Sequence, residues 1–172
     1  MKRNCMRLLV SLFFIVLIAG CGTPYGDDVI LIDTDDLAPK FVLEDLDGNP
    51  VSLEDIGQKV YVKYWTSWCS ICLAGLEELD SLSATETEFR VISIVNPNYK
   101  GEMSPEKFKE WYASLPYENI TVLLDEDGVW AKEFDVIGYP SSYFISRFGE
   151  LEETIVGHTS NKELSKIMKR LR

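Results

Sequence analysis

Residues 65–72, WTSWCSIC, place two cysteines three positions apart, directly after an apolar, strand-like run. The preceding segment KVYVKYW at 59–65 is rich in β-branched and aromatic residues, which favours a β-strand. Beyond Cys72, leucines recur at 73, 76, 79 and 82 with acidic residues between them, which predicts an amphipathic helix. The cysteines therefore lie at a strand-to-helix junction, where they could form a redox centre, half of a metal site or a structural disulfide.

The metal site and the structural disulfide are the weaker interpretations. A structural zinc ion takes four Cys or His ligands, whereas this sequence has no second C-x-x-C and a single histidine, His158. A disulfide between residues three apart closes a very short loop, which stabilises little in the chain-entropy account. His158 lies in a VGHTS turn, and we interpret it as a surface residue rather than as the base of a cysteine protease.

The redox interpretation follows from helix physics. Free N–H groups and the helix dipole stabilise a thiolate at a helix N-terminus, so Cys69 should be the nucleophile. Cys72, one turn further along and less exposed, should resolve the mixed disulfide. The cysteines are themselves the redox group, so we expect no cofactor. Glu77 and Glu78 follow the pair and are interpreted as mostly solvated helix residues.

The first twenty residues have the composition of an export signal. Three basic residues precede an apolar run at 8–19, which is too short to cross ~30 Å of hydrocarbon comfortably as a permanent helix. The run ends in LIAGC, which resembles a bacterial lipobox with Cys21 as the acylated first residue of the mature protein. The alternative is an ordinary signal peptide in which Cys21 is incidental.

This interpretation divides the chain into three parts. We predict a lipoprotein signal peptide at 1–20, a lipidated cysteine and tether at 21–38, and a folded domain at 39–172. Cys5 is discarded with the signal and Cys21 carries lipid, which leaves Cys69 and Cys72 as the thiols of the domain. Export exposes them to an oxidising environment in which they can cycle through a disulfide.

The charge of the mature chain restricts its partners. Removing residues 1–20 leaves 14 basic residues against 28 acidic ones, a net charge of −14. Such a surface argues against nucleic-acid binding and against adhesion to an anionic membrane by charge. Membrane attachment then depends on the lipid, which places the predicted monomer at the extracytoplasmic face of the cell membrane.

Hydrophobic patterning predicts a mixed sheet with helices on both faces. The segment at 40–56 alternates on either side of an Asp47-Gly48-Asn49 turn, which indicates a β-hairpin. Further strands are predicted at 59–65, 89–96, 120–125, 141–146 and 151–157, and helices after Cys72, from 104 to about 114, at 129–136 and at 161–172.

WTSWCSIC, together with Gly138-Tyr139-Pro140 some seventy residues later, resembles the thioredoxin fold. The leading LAPKFVLEDLDGNPVSLEDI resembles the hairpin of the TlpA/ResA-like redoxins, which are exported, membrane-attached thiol–disulfide oxidoreductases. The resemblance covers about residues 37–172. It implies a mixed central sheet flanked by helices, an N-terminal β-hairpin and an insertion between sheet strands. The insertion, at 97–119, is aromatic-rich, and its aromatic side chains could pack in the core or dock partners.

The same resemblance implies roles for individual residues. Pro140 would be a cis-proline that faces the disulfide and turns the Tyr139 backbone toward Cys69, ready to pair with an extended substrate. Trp68 would shield the nucleophile, unless it is simply a core or partly exposed aromatic. The membrane thiol carrier that re-reduces the pair would be of the CcdA/DsbD type.

The sequence departs from typical thioredoxins at two points. Ser70 and Ile71 replace the Gly-Pro of CGPC, and because these positions tune the redox potential, the motif does not assign the direction of electron flow. Lys63 stands where thioredoxins carry a buried aspartate. Either its ammonium tunes the cysteine pair and lowers the pKa of Cys69, or its stem packs while its head reaches water.

The function predicted from these observations is reduction of protein disulfides by a lipid-anchored oxidoreductase. KYWTSWCSICLAGLEELD is similar to the thioredoxin-like domains and lipoproteins that re-reduce extracytoplasmic methionine sulfoxide reductases, which makes such an enzyme a candidate partner. The alternatives are a disulfide-forming oxidant, a cytochrome c maturation thioredoxin, and a non-catalytic copper chaperone. The P-x-x-x-T-x-x-C pattern of a peroxiredoxin is absent from the sequence.

Overall fold

A computed structural model describes residues 37–54 and 56–172. Its strands are β1 (Val42–Asp45), β2 (Pro50–Ser52), β3 (Val60–Tyr64), β4 (Arg90–Val95), β5 (Val122–Leu124), β6 (Ser141–Ile145) and β7 (Leu151–Val156). Its helices are α1 (Ser70–Ala74), α2 (Leu76–Thr85), α3 (Pro105–Tyr112), α4 (Val129–Glu133) and α5 (Asn161–Arg170). The predicted order of elements is confirmed, apart from the division of the first helix in two. The predicted signal peptide, Cys21 and the tether as far as residue 36 lie outside the described residues.

The strands form one mixed, seven-stranded sheet in the order β2-β1-β5-β4-β3-β6-β7. The three central strands β3, β4 and β5 run parallel, and the outer strands pair antiparallel to their neighbours. This is the predicted α/β thioredoxin-like fold. The carboxyl ends of β3, β4 and β5 lie at one edge of the sheet, and the segments that leave them form the site described below.

Residues of β3 alternate between the two faces of the sheet, as the period of a strand requires. Tyr61 and, just beyond the strand, Trp65 pack in a cluster with helices α1, α2, α3 and α5. Val60, Val62 and Tyr64 pack in a second cluster with α4 and the N-terminal hairpin. Both faces are therefore covered, which explains why all five residues of β3 are buried.

The end of the first helix and the start of the folded domain differ from those predicted from the sequence. The helix predicted after Cys72 is interrupted at Gly75, whose N–H donates to the carbonyl of Cys72 at 3.1 Å, and a second helix starts at Leu76. At the other boundary, Leu37 and Ala38 belong to the segment assigned to the tether. Here Ala38 is buried, its N–H donates to the carbonyl of Gly149 at 2.9 Å, and Leu37 forms a β-bridge with Glu150.

Helix capping follows the sequence signals. Ser104 caps α3 by accepting the N–H of Lys107, with Pro105 at the first helical position, and Ser160 caps α5 by accepting the N–H of Glu163. Within residues 37–54 and 56–172, no helix combines the length and apolar character needed to span a membrane.

Candidate active site

Cys69 is the N-cap residue of α1. Its backbone is extended, with φ −89° and ψ 105°, and the Cys72 N–H donates to its Sγ at 3.3 Å. This is the placement predicted from the strand-to-helix junction. A thiolate on Cys69 would accept the same N–H, and that hydrogen bond favours the ionised form.

The two cysteines form a disulfide in this structure. Their accessibility differs, because Cys69 retains 7 % of its surface exposed whereas Cys72 retains none. An incoming sulfur can therefore reach Cys69 only. Cys72 lies beneath it among the apolar side chains that α1 and α2 turn toward the sheet.

The Tyr139-Pro140 segment approaches Cys69. The peptide bond between these two residues is cis, and the Tyr139 carbonyl oxygen lies 3.7 Å from Cys69 Sγ. Trp68 is 54 % exposed and stands edge-to-face with the Tyr139 ring, their centroids 5.8 Å apart. The structure thus brings together Cys69, Trp68, Tyr139 and Pro140, although the two pairs lie some seventy positions apart in the chain.

A buried polar chain holds the Tyr139 side chain in place. The Tyr139 hydroxyl donates to Asn96 Oδ1 at 2.9 Å, and Asn96 Nδ2 donates to Asp125 Oδ2 at 2.8 Å. Asp125 also accepts the N–H groups of Trp130 and Ala131 at the start of α4, at 3.0 and 2.7 Å. Burial raises the pKa of Asp125, against the opposing effect of these hydrogen bonds. Sequence reasoning missed this chain, although Asn96 and Asp125 each lie at the carboxyl end of a predicted parallel strand.

Glu102 fixes the loop that leads into Cys69. The carboxylate is buried, and it accepts the Ser67 N–H and the Ser67 hydroxyl, both at 2.6 Å. This contact joins the predicted insertion at 97–119 to the active-site loop. Further along the insertion, Phe108 and Tyr112 on α3 are buried in the core, so these two aromatic residues pack rather than present a docking surface.

Lys63 lies on the same face of the sheet as the cysteine pair. It is only 3 % exposed, so its aliphatic stem packs in the core. Burial lowers the pKa of Lys63, and the negative charge of Glu78 partly opposes that shift. A side-chain carbon placed at Gly75 would lie 3.3 Å from Lys63 Nζ, so the ammonium approaches the chain where α1 gives way to α2.

His158 lies exposed in the segment after β7, outside any helix or strand, as predicted for a surface residue. Its Nε2 lies 3.4 Å from Glu78 Oε2. Its Nδ1 lies 3.3 Å from the point where a Cβ on Gly75 would stand, the same point that Lys63 approaches. The segment after β7 brings the imidazole back over α2, a contact that the local VGHTS sequence does not reveal. Within the described residues, no group of three or more His, Cys, Asp or Glu side chains is arranged to hold a metal ion.

Comparison with known proteins gives concordant results. A family model described as Redoxin matches residues 33–171. An uncharacterized protein of Haemophilus influenzae is 48 % identical over 124 residues, which cover 71 % of this chain and 80 % of that protein. The thiol–disulfide oxidoreductase ResA of Bacillus cereus is 25 % identical over 178 residues, 99 % of each chain. Among solved structures, the pneumococcal exposed lipoprotein thioredoxin of Streptococcus pneumoniae superposes with a TM-score of 0.75 at 38 % identity, covering 77 % of this chain and 100 % of that one.

Proposed function

Because this chain belongs to the Redoxin family and is a thiol–disulfide oxidoreductase with a thioredoxin-like fold, we propose that it reduces disulfides of partner proteins at the extracytoplasmic face of a membrane. The observation that carries the proposal is the unequal placement of the two sulfurs. Cys69 is reachable and receives an N–H hydrogen bond, and Cys72 is fully buried one turn further along.

Thiol–disulfide exchange accounts for each part of this geometry. The Cys69 thiolate attacks one sulfur of the partner disulfide, which forms a mixed disulfide and releases the other partner sulfur as a thiolate. Cys72, once deprotonated, attacks Cys69 Sγ and releases the second partner thiolate. Two electrons pass from the cysteine pair to the partner, and the protein is left with the Cys69–Cys72 disulfide. A membrane thiol carrier of the CcdA/DsbD type would restore the reduced pair.

The surroundings of Cys69 suit an extended protein segment as substrate. Trp68 offers an exposed apolar surface beside the sulfur, and the Tyr139 carbonyl before Pro140 lies next to it. A partner segment could pair with the Tyr139 backbone while one of its sulfurs faces Cys69. In this arrangement Trp68 and Tyr139 bind the partner, and Lys63, behind the pair, tunes the ionisation of the sulfurs.

Membrane attachment is proposed to come from Cys21. The LIAGC segment supports removal of residues 1–20 and acylation of Cys21, with a tether running from there to the domain. The S. pneumoniae structure is described as an exposed lipoprotein, which supports the same arrangement for this chain. Cys21→Ala should move the protein from the membrane fraction to the soluble exported fraction. Retention of the variant in washed membranes would contradict lipid anchoring.

Trapping in cells tests the reduction of partner disulfides. Cys72→Ala should accumulate mixed disulfides through Cys69, and mass spectrometry of the trapped partners should identify exported proteins, with a methionine sulfoxide reductase as the specific candidate. The matched control is Cys69→Ala/Cys72→Ala, which should trap nothing. A trap that yields no partner, with no phenotype for Cys69→Ala, would contradict the proposal.

Two further measurements separate the alternative functions. A reduction potential nearer about −120 mV than about −270 mV would favour a disulfide-forming oxidant. Stoichiometric copper binding by the reduced protein, without disulfide reductase activity, would favour a copper chaperone.

A further inference from the structure

The polar chain behind Tyr139 joins three segments of the fold. Asn96 directly follows β4, Asp125 directly follows β5, and Tyr139 lies two residues before β6. Asn96 is fully buried, and Asp125 is 1 % exposed. Because β4 and β5 run parallel, their carboxyl ends lie side by side, and the two side chains meet there. Asn96 therefore lies between a carboxylate fixed in the core and the aromatic ring beside Cys69.

The direction of each hydrogen bond in this chain is fixed from the Asp125 end. Both carboxylate oxygens accept backbone N–H groups, Oδ1 from Trp130 and Oδ2 from Ala131. Oδ2 also accepts the Asn96 amide at 2.8 Å, which leaves the Asn96 carbonyl oxygen facing the Tyr139 hydroxyl. An amide side chain both donates and accepts, so it can join an acceptor carboxylate to a donor hydroxyl. Burial raises the pKa of Tyr139, and its hydroxyl keeps the proton that it donates.

The Tyr139 ring has further neighbours on the active-site side. Its centroid lies 5.8 Å from that of Trp68 in an edge-to-face arrangement, and Lys100 Nζ lies 5.7 Å from the same centroid. A Cβ added at Gly101 would lie 3.8 Å from Trp68 Nε1, so the indole also approaches the insertion. The hydroxyl, held by Asn96, is the one end of the Tyr139 side chain that a directional hydrogen bond fixes.

That hydrogen bond holds a side chain whose backbone faces the reacting sulfur. The Tyr139 carbonyl lies 3.7 Å from Cys69 Sγ, and a partner segment that pairs with this backbone would also cover the Tyr139 and Trp68 rings. A side chain that is already fixed loses less conformational entropy when a partner covers it, so preorganisation strengthens binding. A small disulfide can react at Cys69 without covering either ring.

We propose that Asn96 is a positioning residue for partner binding. It holds Tyr139, and through Tyr139 the edge-to-face contact with Trp68, in the arrangement that an extended protein segment binds. This inference rests on the proposed function. The effect favours protein disulfides over small ones through affinity, and it leaves the exchange reaction at Cys69 unchanged. Asp125, bound to the start of α4, is the fixed end of the chain.

Two disulfide substrates of different size test this role. In steady-state reduction of insulin, with dithiothreitol recharging the cysteine pair, Asn96→Ala should raise KM by about three- to tenfold and leave kcat within about twofold. A rise in KM with kcat unchanged indicates lost binding rather than lost chemistry. Stopped-flow reaction of the reduced variant with dithiobis(nitrobenzoate), a small disulfide, should retain the wild-type rate within about twofold.

A double-mutant cycle tests whether the effect passes through the Tyr139 hydroxyl. Tyr139→Phe removes only that hydroxyl and should raise the KM for insulin by a similar factor. Asn96→Ala/Tyr139→Phe should be no worse than either single variant, because both substitutions remove the same hydrogen bond. Tyr139→Phe also keeps the contact between Asn96 and Asp125, so it decides the question even when Asn96→Ala does not fold.

Matched controls remove similar groups that lie outside the chain. Asn98→Gly removes an exposed amide that donates to Glu126, and glycine suits the φ of 63° at this position. Tyr143→Phe removes the hydroxyl of another buried tyrosine, on β6. Neither should change the KM for insulin.

The outcomes separate this proposal from the proposed function. An unchanged KM for insulin in folded Asn96→Ala or in Tyr139→Phe would overturn the positioning role. Equal loss of rate with insulin and with dithiobis(nitrobenzoate) in Asn96→Ala would also overturn it, because the effect would then lie in the exchange reaction. A wild-type protein that reduces neither substrate would instead overturn the proposed function.

Discussion

The two faces of the central sheet are built from alternating residues of the same strand. On the face toward α4 and the hairpin, Val60, Val62 and Tyr64 pack among aliphatic and aromatic side chains. On the face toward α1 and α2, Lys63 lies between Tyr61 and Trp65, and the disulfide packs above them. The first face is packed by apolar and aromatic side chains, whereas the second contains a buried lysine on the same side of the sheet as the redox pair.

The face toward α4 and the hairpin, called the aromatic face below, is packed by closely spaced aromatic rings. Phe134 lies 4.9 Å from the ring of Tyr143 and 5.6 Å from that of Tyr64, centroid to centroid. Burial raises the pKa of Tyr143 to about 12, so its hydroxyl stays neutral throughout the physiological range. The buried carboxylate at this face, that of Asp125, is satisfied by hydrogen bonds from Asn96, Trp130 and Ala131. We therefore expect the aromatic residues of this face to affect stability rather than exchange.

The difference between the faces separates stability from reactivity. A charge that is buried without a close partner is costly, and replacement of buried ionic groups by apolar residues is often neutral or stabilising. We therefore expect Lys63, on the α1/α2 face, to lower the free energy of unfolding. Substitutions on the two faces should give opposite patterns of activity and stability.

The largest effect on activity is expected from Cys69→Ala on the α1/α2 face. Removal of the only accessible sulfur of the pair should abolish measurable disulfide reduction, because Cys72 has no exposed surface from which to attack. An insulin-disulfide reduction assay with the reduced protein measures this. Substantial remaining activity would mean that Cys72 reaches the substrate directly.

The largest effect on stability is expected from Phe134→Ala on the aromatic face. Truncation of this buried ring should lower the free energy of unfolding by about 3–5 kcal/mol. Urea denaturation, compared with wild type in the same oxidation state, measures the loss. The rate per folded molecule should be unchanged, and a marked fall in that rate would show that the two faces are not independent.

Lys63→Met should raise the free energy of unfolding, whereas Phe134→Ala should lower it. The lowered pKa means that the unfolded chain binds more protons at Lys63 than the native state does, between the lowered value and the ordinary 10.5. Wild-type stability from this group therefore rises with pH across that window. We expect the variant to be more stable by about 1–4 kcal/mol near neutral pH, and the gain to shrink as the pH rises toward 10.5.

Denaturation of oxidised Lys63→Met and wild type across pH tests this sign. A variant that is less stable than wild type at neutral pH would show that the ammonium is well compensated in the native protein.

Gly75→Ala should have the smallest effect. Gly75 has a backbone conformation open to alanine, with φ −96°, so alanine would stabilise by about 0.4–1 kcal/mol through the unfolded chain. Here, however, its Cβ would lie 3.3 Å from Lys63 Nζ and from His158 Nδ1. We expect these terms nearly to cancel in the wild-type background. In a His158→Ala background the crowding is reduced, and Gly75→Ala should become stabilising. Thermal denaturation of the four-member cycle measures the coupling, and strict additivity would contradict the close approach.

Much of the fold follows from patterns that are local in the sequence. The hairpin turn at Asp47-Gly48-Asn49, the alternation in β3 and the serine caps of α3 and α5 are set by residues a few positions apart, where strand and helix periods apply directly. The position of Cys69 at a helix start follows in the same way. The pairing of Pro140 with the cysteines came from resemblance to a family, since local sequence alone favours a trans bond.

The order of elements, the cysteine pair at a helix start and an unexpected lysine on a buried strand could all be predicted from local sequence. Three contacts became visible with the packed fold: His158 pairs with Glu78, Glu102 binds Ser67, and Asn96 accepts the Tyr139 hydroxyl. The reason is physical. Hydrophobic period and capping depend on neighbours along the chain, whereas these contacts join residues tens of positions apart, and their partners are set by how the helices and strands pack.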